Sequence, residues 1–155
     1  MRRREFITLL CGATVAWPLP ALAQQSKIPK VGFLYPGPSR VATTRIDAFL
    51  GGLRTAGYRV PEEVKFIARF ADGDPTRLAP MATELIDQNV DVIVAVSTAA
   101  ALAVRSATAT TPIVAFDLET DPVATGMIAS LARPGGNITG LFFDFPEFRT
   151  KLLDF

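Results

Sequence analysis

The sequence contains no histidine and only one cysteine, Cys11. We predict that the segment containing Cys11 is removed, so the mature protein would contain neither cysteine nor histidine. We therefore expect no thiol or imidazole chemistry, no disulfide and no zinc site of the usual kind. Basic residues cluster only at the N-terminus and the formal net charge is +1. Nucleic acid is therefore not expected as a partner, and no metal site is predicted.

The N-terminal residues have the pattern of an export signal. Three arginines at positions 2 to 4 precede an apolar run over residues 6–15, and A-L-A at positions 21–23 is a small-x-small cleavage pattern. The run is shorter than the ~20 apolar residues of a membrane-spanning helix. We predict a signal peptide over residues 1–23, cleaved after Ala23, and a periplasmic mature protein. The sequence R-R-E-F-I fits a twin-arginine signal, with an ordinary Sec signal as the alternative.

From residue 24 onward, strand and helix patterns alternate. Apolar runs of strand length lie at residues 30–35, 64–70, 92–96, 113–116 and 138–142. Helical patterns lie between them, at residues 41–56, after the Asp74-Pro75 pair, from Ser97 to about residue 107, and at residues 122–132. This alternation indicates an α/β fold for residues 24–142, with helices on both faces of a parallel, doubly wound sheet in the strand order 2-1-3-4-5.

Residues 143–155 begin one more apolar helix face, formed by Phe148, Leu152 and Phe155. We expect this segment to start a crossover towards a second lobe. The alternative is a short C-terminal helix that packs on the same domain. If the apolar face stayed uncovered, we would expect self-association through it.

Polar residues follow the predicted strands three and four, at the sheet edge where open α/β sheets bind ligands. Ser97 and Thr98 follow strand three and start a helix, so their hydroxyl groups and the free N–H groups suit a carboxylate, although helix capping alone would also explain them. Asp117 and Asp121 follow strand four. We expect Asp117 in particular to accept a hydrogen bond from an amine or hydroxyl group of a small solute, with capping and loop solubility as the alternative.

The loop after strand one supplies two further candidates, Tyr35 and Ser39. Tyr35 could stack on a ring of the solute or simply fill the edge of the core. A dinucleotide fold would need G-x-G-x-x-G in this loop, but Pro36 and Pro38 carry no N–H group to meet a pyrophosphate. The hydroxyl-bearing residues here match a flavin loop only weakly, and no cofactor is expected.

Several stretches together resemble the substrate-binding proteins of bacterial ABC transporters, in particular the tryptophan/tyrosine type. They are the leader at residues 2–10, V-G-F-L at 31–34, G-G-L at 51–53, T-P-I-V at 111–114, T-D-P-V at 120–123 and L-A-R-P-G-G-N-I-T-G at 131–140. The resemblance implies a type I periplasmic binding protein fold, in which two lobes close on a small molecule. Such proteins are considerably longer than this chain, which would hold the first lobe and the start of the crossover.

The resemblance also implies a function without catalysis. The protein would bind a small organic solute, such as an aromatic or branched amino acid, and deliver it to an ABC permease in the inner membrane. There are three alternatives. The protein could be a periplasmic ligand sensor, an exported enzyme with a flavodoxin-like fold and a bound cofactor, or a truncated product without function. Without a second lobe, closure around the ligand could not occur.

Overall fold

The computed structural model describes residues 27–117 and 120–142. The predictions of a signal peptide over residues 1–23 and of a crossover at residues 143–155 concern positions outside this part of the chain. Within it, no helix combines the length and the apolar character that a membrane span requires.

The described residues form a five-stranded parallel sheet with three α-helices. The elements are β1 (Lys30–Tyr35), α1 (Ser39–Thr55), β2 (Lys65–Phe70), a 3-10 turn (Pro75–Arg77) that leads into α2 (Leu78–Asp87), β3 (Val92–Val96), α3 (Thr98–Ala107), β4 (Ile113–Asp117) and β5 (Ile138–Phe142). The strand order is β2-β1-β3-β4-β5, with parallel pairing throughout. The predicted doubly wound topology is confirmed, and the predicted strand bounds differ from the observed ones by one residue at most.

Short polar motifs fix where the helices begin and end. The Asp74 carboxylate accepts the N–H of Thr76 at 2.9 Å and the Thr76 hydroxyl at 2.6 Å, and so starts the turn that leads into α2. At the end of α1, Gly57 has φ +92°. The N–H groups of Gly57 and Tyr58 return to carbonyl groups of the last helical turn, because the left-handed glycine reverses the chain there.

Alternate residues of the strands pack into two separate cores, one on each face of the sheet. On one face, Leu34, Ile93 and Ile113 are fully buried against residues of α2 and α3. On the other face, Phe33 and Val94 lie under α1. Helices therefore cover both faces of β1 and β3, as the unbroken apolar sequence of β3 predicts.

In the part of the chain that the structure describes, the second face is covered only in part. Its α1-centred core includes residues of β1, β2 and β3, but none of β4 or β5. On this face the side chain of Val114 is 36% exposed and that of Leu141 is 60% exposed. The opposite face of the same two strands is buried, with Ile113 at 0% and Ile138 at 5%.

The predicted helix over residues 122–132 is wrong, because only one helical turn forms, at residues 122–126. Gly126 has φ +67°, and its N–H bonds to the Val123 carbonyl while the Met127 N–H bonds to the Pro122 carbonyl. This pair of hydrogen bonds around a left-handed glycine ends a helix. Met127 and Ile128 then enter the core as an irregular segment that covers the α3 side of the sheet.

Candidate ligand-binding site

The carboxyl ends of three neighbouring strands bring most of the predicted site residues to one edge of the sheet. β1 ends at Tyr35, β3 ends directly before Ser97, and β4 ends at Asp117, in the spatial order β1-β3-β4. Parallel strands in adjacent positions are ~4.8 Å apart. The backbone therefore places Tyr35, Ser97 and Asp117 side by side, at the edge where doubly wound sheets bind ligands.

Ser97 has an unusual backbone conformation, with φ +94° and ψ +157°. Only glycine adopts this region readily, and another residue there costs about 1–3 kcal/mol. Three hydrogen bonds hold Ser97: its N–H donates to the Phe116 carbonyl at 2.8 Å, its carbonyl accepts the Ala101 N–H at 3.0 Å, and its Oγ accepts the Ala100 N–H at 3.3 Å. Ser97 thus joins β3 directly to α3, and the N-terminus of α3 lies at this edge of the sheet.

A pair of hydroxyl groups joins the start of α3 to the segment that follows β4. The Oγ1 atoms of Thr98 and Thr120 are 2.7 Å apart, and either can be the donor. The pair is partly buried and lies next to Ser97. Thr120 is not among the predicted site residues, although it begins the T-D-P-V motif. Its position three residues after β4 is the sequence signal that could have included it.

Asp121 acts as a cap in this structure. Its Oδ1 accepts the N–H groups of Val123 at 2.8 Å and Ala124 at 3.3 Å, and its carbonyl accepts the Thr125 hydroxyl at 3.1 Å. These hydrogen bonds stabilise the single turn after the site. The carboxylate is engaged with backbone, which accords with the capping alternative.

Asp117 is the last residue of β4 and its backbone pairs with Phe142 of β5. Its side chain lies outside the described part of the structure. The predicted contact of the Asp117 carboxylate with a solute therefore stays a prediction, supported by the position of the backbone at the edge.

Tyr35 and Ser39 occupy the β1–α1 side of this edge. The Tyr35 side chain is 9% exposed, packs on Phe33 with ring centroids 6.4 Å apart, and accepts a hydrogen bond from Arg45 Nη1 at 3.4 Å. Its ring fills the core, so only a small part of the residue can face a solute. Ser39 is exposed and begins α1, where Pro38 provides no side-chain cap for the first N–H groups.

The polar side chains at the opposite edge of the sheet serve the fold. Asp91 accepts Lys27 Nζ and the Lys30 N–H, each at 2.8 Å, and these hydrogen bonds hold the pKa of the Asp91 carboxyl below its usual value. Asn137, in the R-P-G-G-N stretch, donates from Nδ2 to the carbonyls of Thr108 at 3.3 Å and Thr111 at 2.8 Å. This amide clamps the loop between α3 and β4.

The edge around Ser97 presents hydroxyl groups beside the N-terminus of α3. Hydroxyl groups and a helix N-terminus are hydrogen-bonding partners for a carboxylate. Among the described residues, no group of acidic or sulfur-bearing side chains is arranged to hold a metal ion. The geometry accordingly supports recognition through hydrogen bonds.

Comparison with known families gives a match over most of the chain. Residues 33–148 match the family model described as ABC transporter substrate binding protein. The sequence is also 34% identical over 92 residues to a tyrosine-binding protein of Clostridioides difficile, a match that covers 59% of this chain and 26% of that protein. This family consists of substrate-binding proteins rather than enzymes.

Parts of two solved structures are also similar to this chain. A conserved domain protein from Vibrio cholerae superposes with a TM-score of 0.74 at 31% identity, over 83% of this chain and 43% of that chain. An ABC domain from Streptococcus pneumoniae in complex with L-Trp superposes with a TM-score of 0.67 at 28% identity, over 75% of this chain and 39% of that chain. The chain thus spans less than half the length of each of these relatives.

Proposed function

The chain belongs to the ABC transporter substrate-binding protein family, and from that premise we propose that it is the first solute-binding lobe of a receptor for an importer. The receptor would work in the periplasm after removal of residues 1–23, bind one small organic solute and deliver it to an ABC permease. The relatives are more than twice as long as the matched region. A second lobe in a longer form of the protein would supply the remaining solute contacts and the closure.

The observation that carries this proposal is the conformation of Ser97. A non-glycine residue with φ +94° is held at the junction of β3 and α3, at the edge where open α/β sheets bind ligands. This junction places the N-terminus of α3 at the edge, with the hydroxyl pair of Thr98 and Thr120 beside it. We propose that this cluster binds a carboxylate group of the solute.

We propose an amino acid as the solute. Its carboxylate would bind at Ser97 and Thr98, and its ammonium group at Asp117, one strand away in β4. The Streptococcus pneumoniae structure contains L-Trp and the Clostridioides difficile relative is a tyrosine-binding protein, which supports an aromatic amino acid. Ser39 would border the same edge. Asp121 would border it too, through the turn that it caps.

Calorimetric titration of residues 24–155 with L-tyrosine, L-tryptophan and L-leucine, with ribose as a non-amino-acid control, tests the proposal. We expect at least one amino acid to bind and ribose not to bind. Thr98→Val keeps the size of the side chain but removes its hydroxyl, and should weaken binding about threefold to tenfold, because one hydrogen bond contributes about 0.5–1.5 kcal/mol. Thr83→Val is the matched control, since the Thr83 hydroxyl bonds only to the Ala79 carbonyl within α2.

Asp117→Ala tests the proposed contact with the ammonium group of the solute, whereas Thr98→Val tests the contact with its carboxylate. Loss of a charged hydrogen-bond acceptor should weaken amino-acid binding by more than the threonine variant does, since hydrogen bonds to charged groups contribute about 1.5–3 kcal/mol. The unfolding midpoint of the variant should stay close to that of the wild type. Unchanged affinity in both Thr98→Val and Asp117→Ala would place the solute elsewhere.

A further inference from the structure

We infer that Arg45 is a positioning residue of the solute site, which acts by orienting the hydroxyl group of Tyr35. This inference rests on the proposed function, because it assigns a role within the same site. It adds a residue that the sequence patterns do not single out, and it names the part of the solute that β1 recognises.

The guanidinium group of Arg45 contacts the side chain of Tyr35. Arg45 Nη1 lies 3.4 Å from the Tyr35 hydroxyl oxygen, and Arg45 Cζ lies 5.7 Å from the centroid of the Tyr35 ring. The guanidinium group therefore covers the ring and also reaches its polar end. In the described residues, the four ion pairs all involve other basic side chains, so no carboxylate there draws Arg45 away from Tyr35.

The ring of Tyr35 is also fixed on its other sides. Phe33 stacks on it with an interplanar angle of 23°. Gly37 lies against its edge so closely that a Cβ at position 37 would be 2.8 Å from Cε1 of Tyr35. The ring of Tyr35 is thus packed on its face by Phe33 and at its edge by Gly37, and its hydroxyl group contacts Arg45.

The direction of the hydrogen bond decides what this hydroxyl can recognise. A guanidinium group only donates hydrogen bonds, so the Tyr35 oxygen accepts and its own proton is directed elsewhere. β1 lies next to β3, whose end carries Ser97. We assign the Tyr35 proton to an acceptor on the side chain of an amino-acid solute whose carboxylate binds at Ser97. The phenol oxygen of tyrosine is such an acceptor, and phenylalanine has none.

Tyrosine labelled with ¹³C at Cζ reports on this contact directly, because the chain has two tyrosines and Tyr58→Phe assigns their two signals. In the absence of solute, Arg45→Gln should shift the Tyr35 signal. Arg54→Gln, which removes the same charge from the last turn of the same helix, should not. Calorimetry with L-tyrosine and L-phenylalanine then measures the consequence for binding in the same proteins.

We expect L-tyrosine to bind more tightly than L-phenylalanine, and Arg45→Gln to weaken L-tyrosine binding about threefold to tenfold, the effect of one hydrogen bond. L-Phenylalanine binding should not change. In a Tyr35→Phe background, Arg45→Gln should have no further effect, which a purely structural role of Arg45 would not produce.

Three results would overturn the inference, and they are distinguishable. If Arg45→Gln leaves the Tyr35 signal in place, the contact does not exist in solution, whether or not an amino acid binds. If the signal shifts but L-tyrosine affinity is unchanged, Arg45 has no role in binding and the proposed function stands. If the wild type binds neither amino acid nor any other of the proposed panel, the proposed function fails and this inference fails with it.

Discussion

The two halves of the sheet differ in how they are covered. β1 and β3 are buried on both faces, by α1 on one side and by α2 and α3 on the other. Among the described residues, β4 and β5 are covered on the α3 side only, and Val114 and Leu141 are exposed on the opposite side. Parallel sheets are normally covered on both faces. The candidate site lies where these halves meet, with Ser97 at the end of β3 and Thr120 just after β4.

The two halves of the sheet therefore contribute differently to folding and to solute binding. The doubly covered half supplies most of the core, whereas Ser97 is held by hydrogen bonds to Phe116 of β4 and to Ala100 and Ala101 of α3. The other half contributes the segment after β4, which reaches the site through the hydroxyl of Thr120. Substitutions on the two halves should therefore differ in their effects on stability, and the comparison can be tested position by position.

The largest effect is expected at Gly140 in β5. A Cβ at this position would overlap the backbone carbonyl oxygen of Ala115, its partner in β4. Because backbone must move to relieve that overlap, Gly140→Ala should lose more than about 4 kcal/mol of unfolding free energy, among the largest single-residue effects. Urea unfolding followed by circular dichroism measures the loss.

Gly32→Ala in β1 is the matched control for Gly140→Ala. Its Cβ would meet only side-chain atoms, Ile93 Cγ1 at 3.3 Å and the Leu85 methyl groups at 3.4 Å. These can adjust, so the cost should be about 1–3 kcal/mol, as for other overpacked cores. Equal losses at the two glycines would mean that β5 does not pair with β4 as described.

A large difference is also expected between neighbouring residues of β4. Ile113 is fully buried under α3, and Ile113→Ala should cost about 2–5 kcal/mol. Val114 faces the uncovered side and Val114→Ala should cost less than about 1 kcal/mol. Thermal unfolding of the two variants measures their losses of stability. A large loss for Val114→Ala would show that something covers this face in solution.

Asp91, at the start of β3, should contribute a smaller and pH-dependent stability. The hydrogen bonds from Lys27 and Lys30 lower the pKa of its carboxyl in the folded state. The contribution is therefore present above the unfolded pKa of about 4 and is lost as the pH falls through the lower folded value. Asp91→Asn should destabilise the protein at pH 7 by less than about 1 kcal/mol, since the groups are exposed.

Unfolding measured against pH is the test for Asp91. The wild type and Asp91→Asn should differ at pH 7 and converge in acid. A constant difference between Asp91→Asn and the wild type down to the lowest pH would show that the carboxylate charge is not the cause.

The smallest effect on stability is expected at Leu141. Leu141→Ser should change the unfolding free energy by less than about 0.5 kcal/mol, as for other exposed positions. It should nevertheless reduce binding of an apolar fluorescent dye and self-association measured by ultracentrifugation, because it interrupts the uncovered apolar face. Leu131, 69% exposed but in a loop, is the control: Leu131→Ser should leave both readouts unchanged.

Most of the fold could be predicted from the sequence, because local signals and global topology agree. The five apolar runs and the cap at Asp74 act where the patterns place them. The helix predicted over residues 122–132 failed for a physical reason. Its apolar spacing resembles a helix, but Gly126 adopts a left-handed conformation after one turn and sends Met127 and Ile128 into the core.

The candidate site could be predicted only as an edge of the sheet. Strand ends identify Tyr35, Ser97 and Asp117 as neighbours once the strand order is known. Sequence patterns carry no signal for the strained φ of Ser97, for the hydroxyl contact across 22 residues between Thr98 and Thr120, or for the guanidinium of Arg45 over Tyr35. These depend on tertiary packing. Asn137 likewise has a fold role that its sequence context alone does not reveal.

The most direct test of the account is a map of amide chemical shifts in ¹⁵N-labelled residues 24–155 during titration with L-tyrosine. The account predicts that signals from Ser97, Thr98 and Ala99 move with a common dose dependence. Signals from Gly136 and Asn137, at the opposite edge of the sheet, should stay in place. Shifts at the opposite edge without any at the start of α3, or no shifts at all, would contradict the placement of a solute site at the carboxyl ends of β3 and β4.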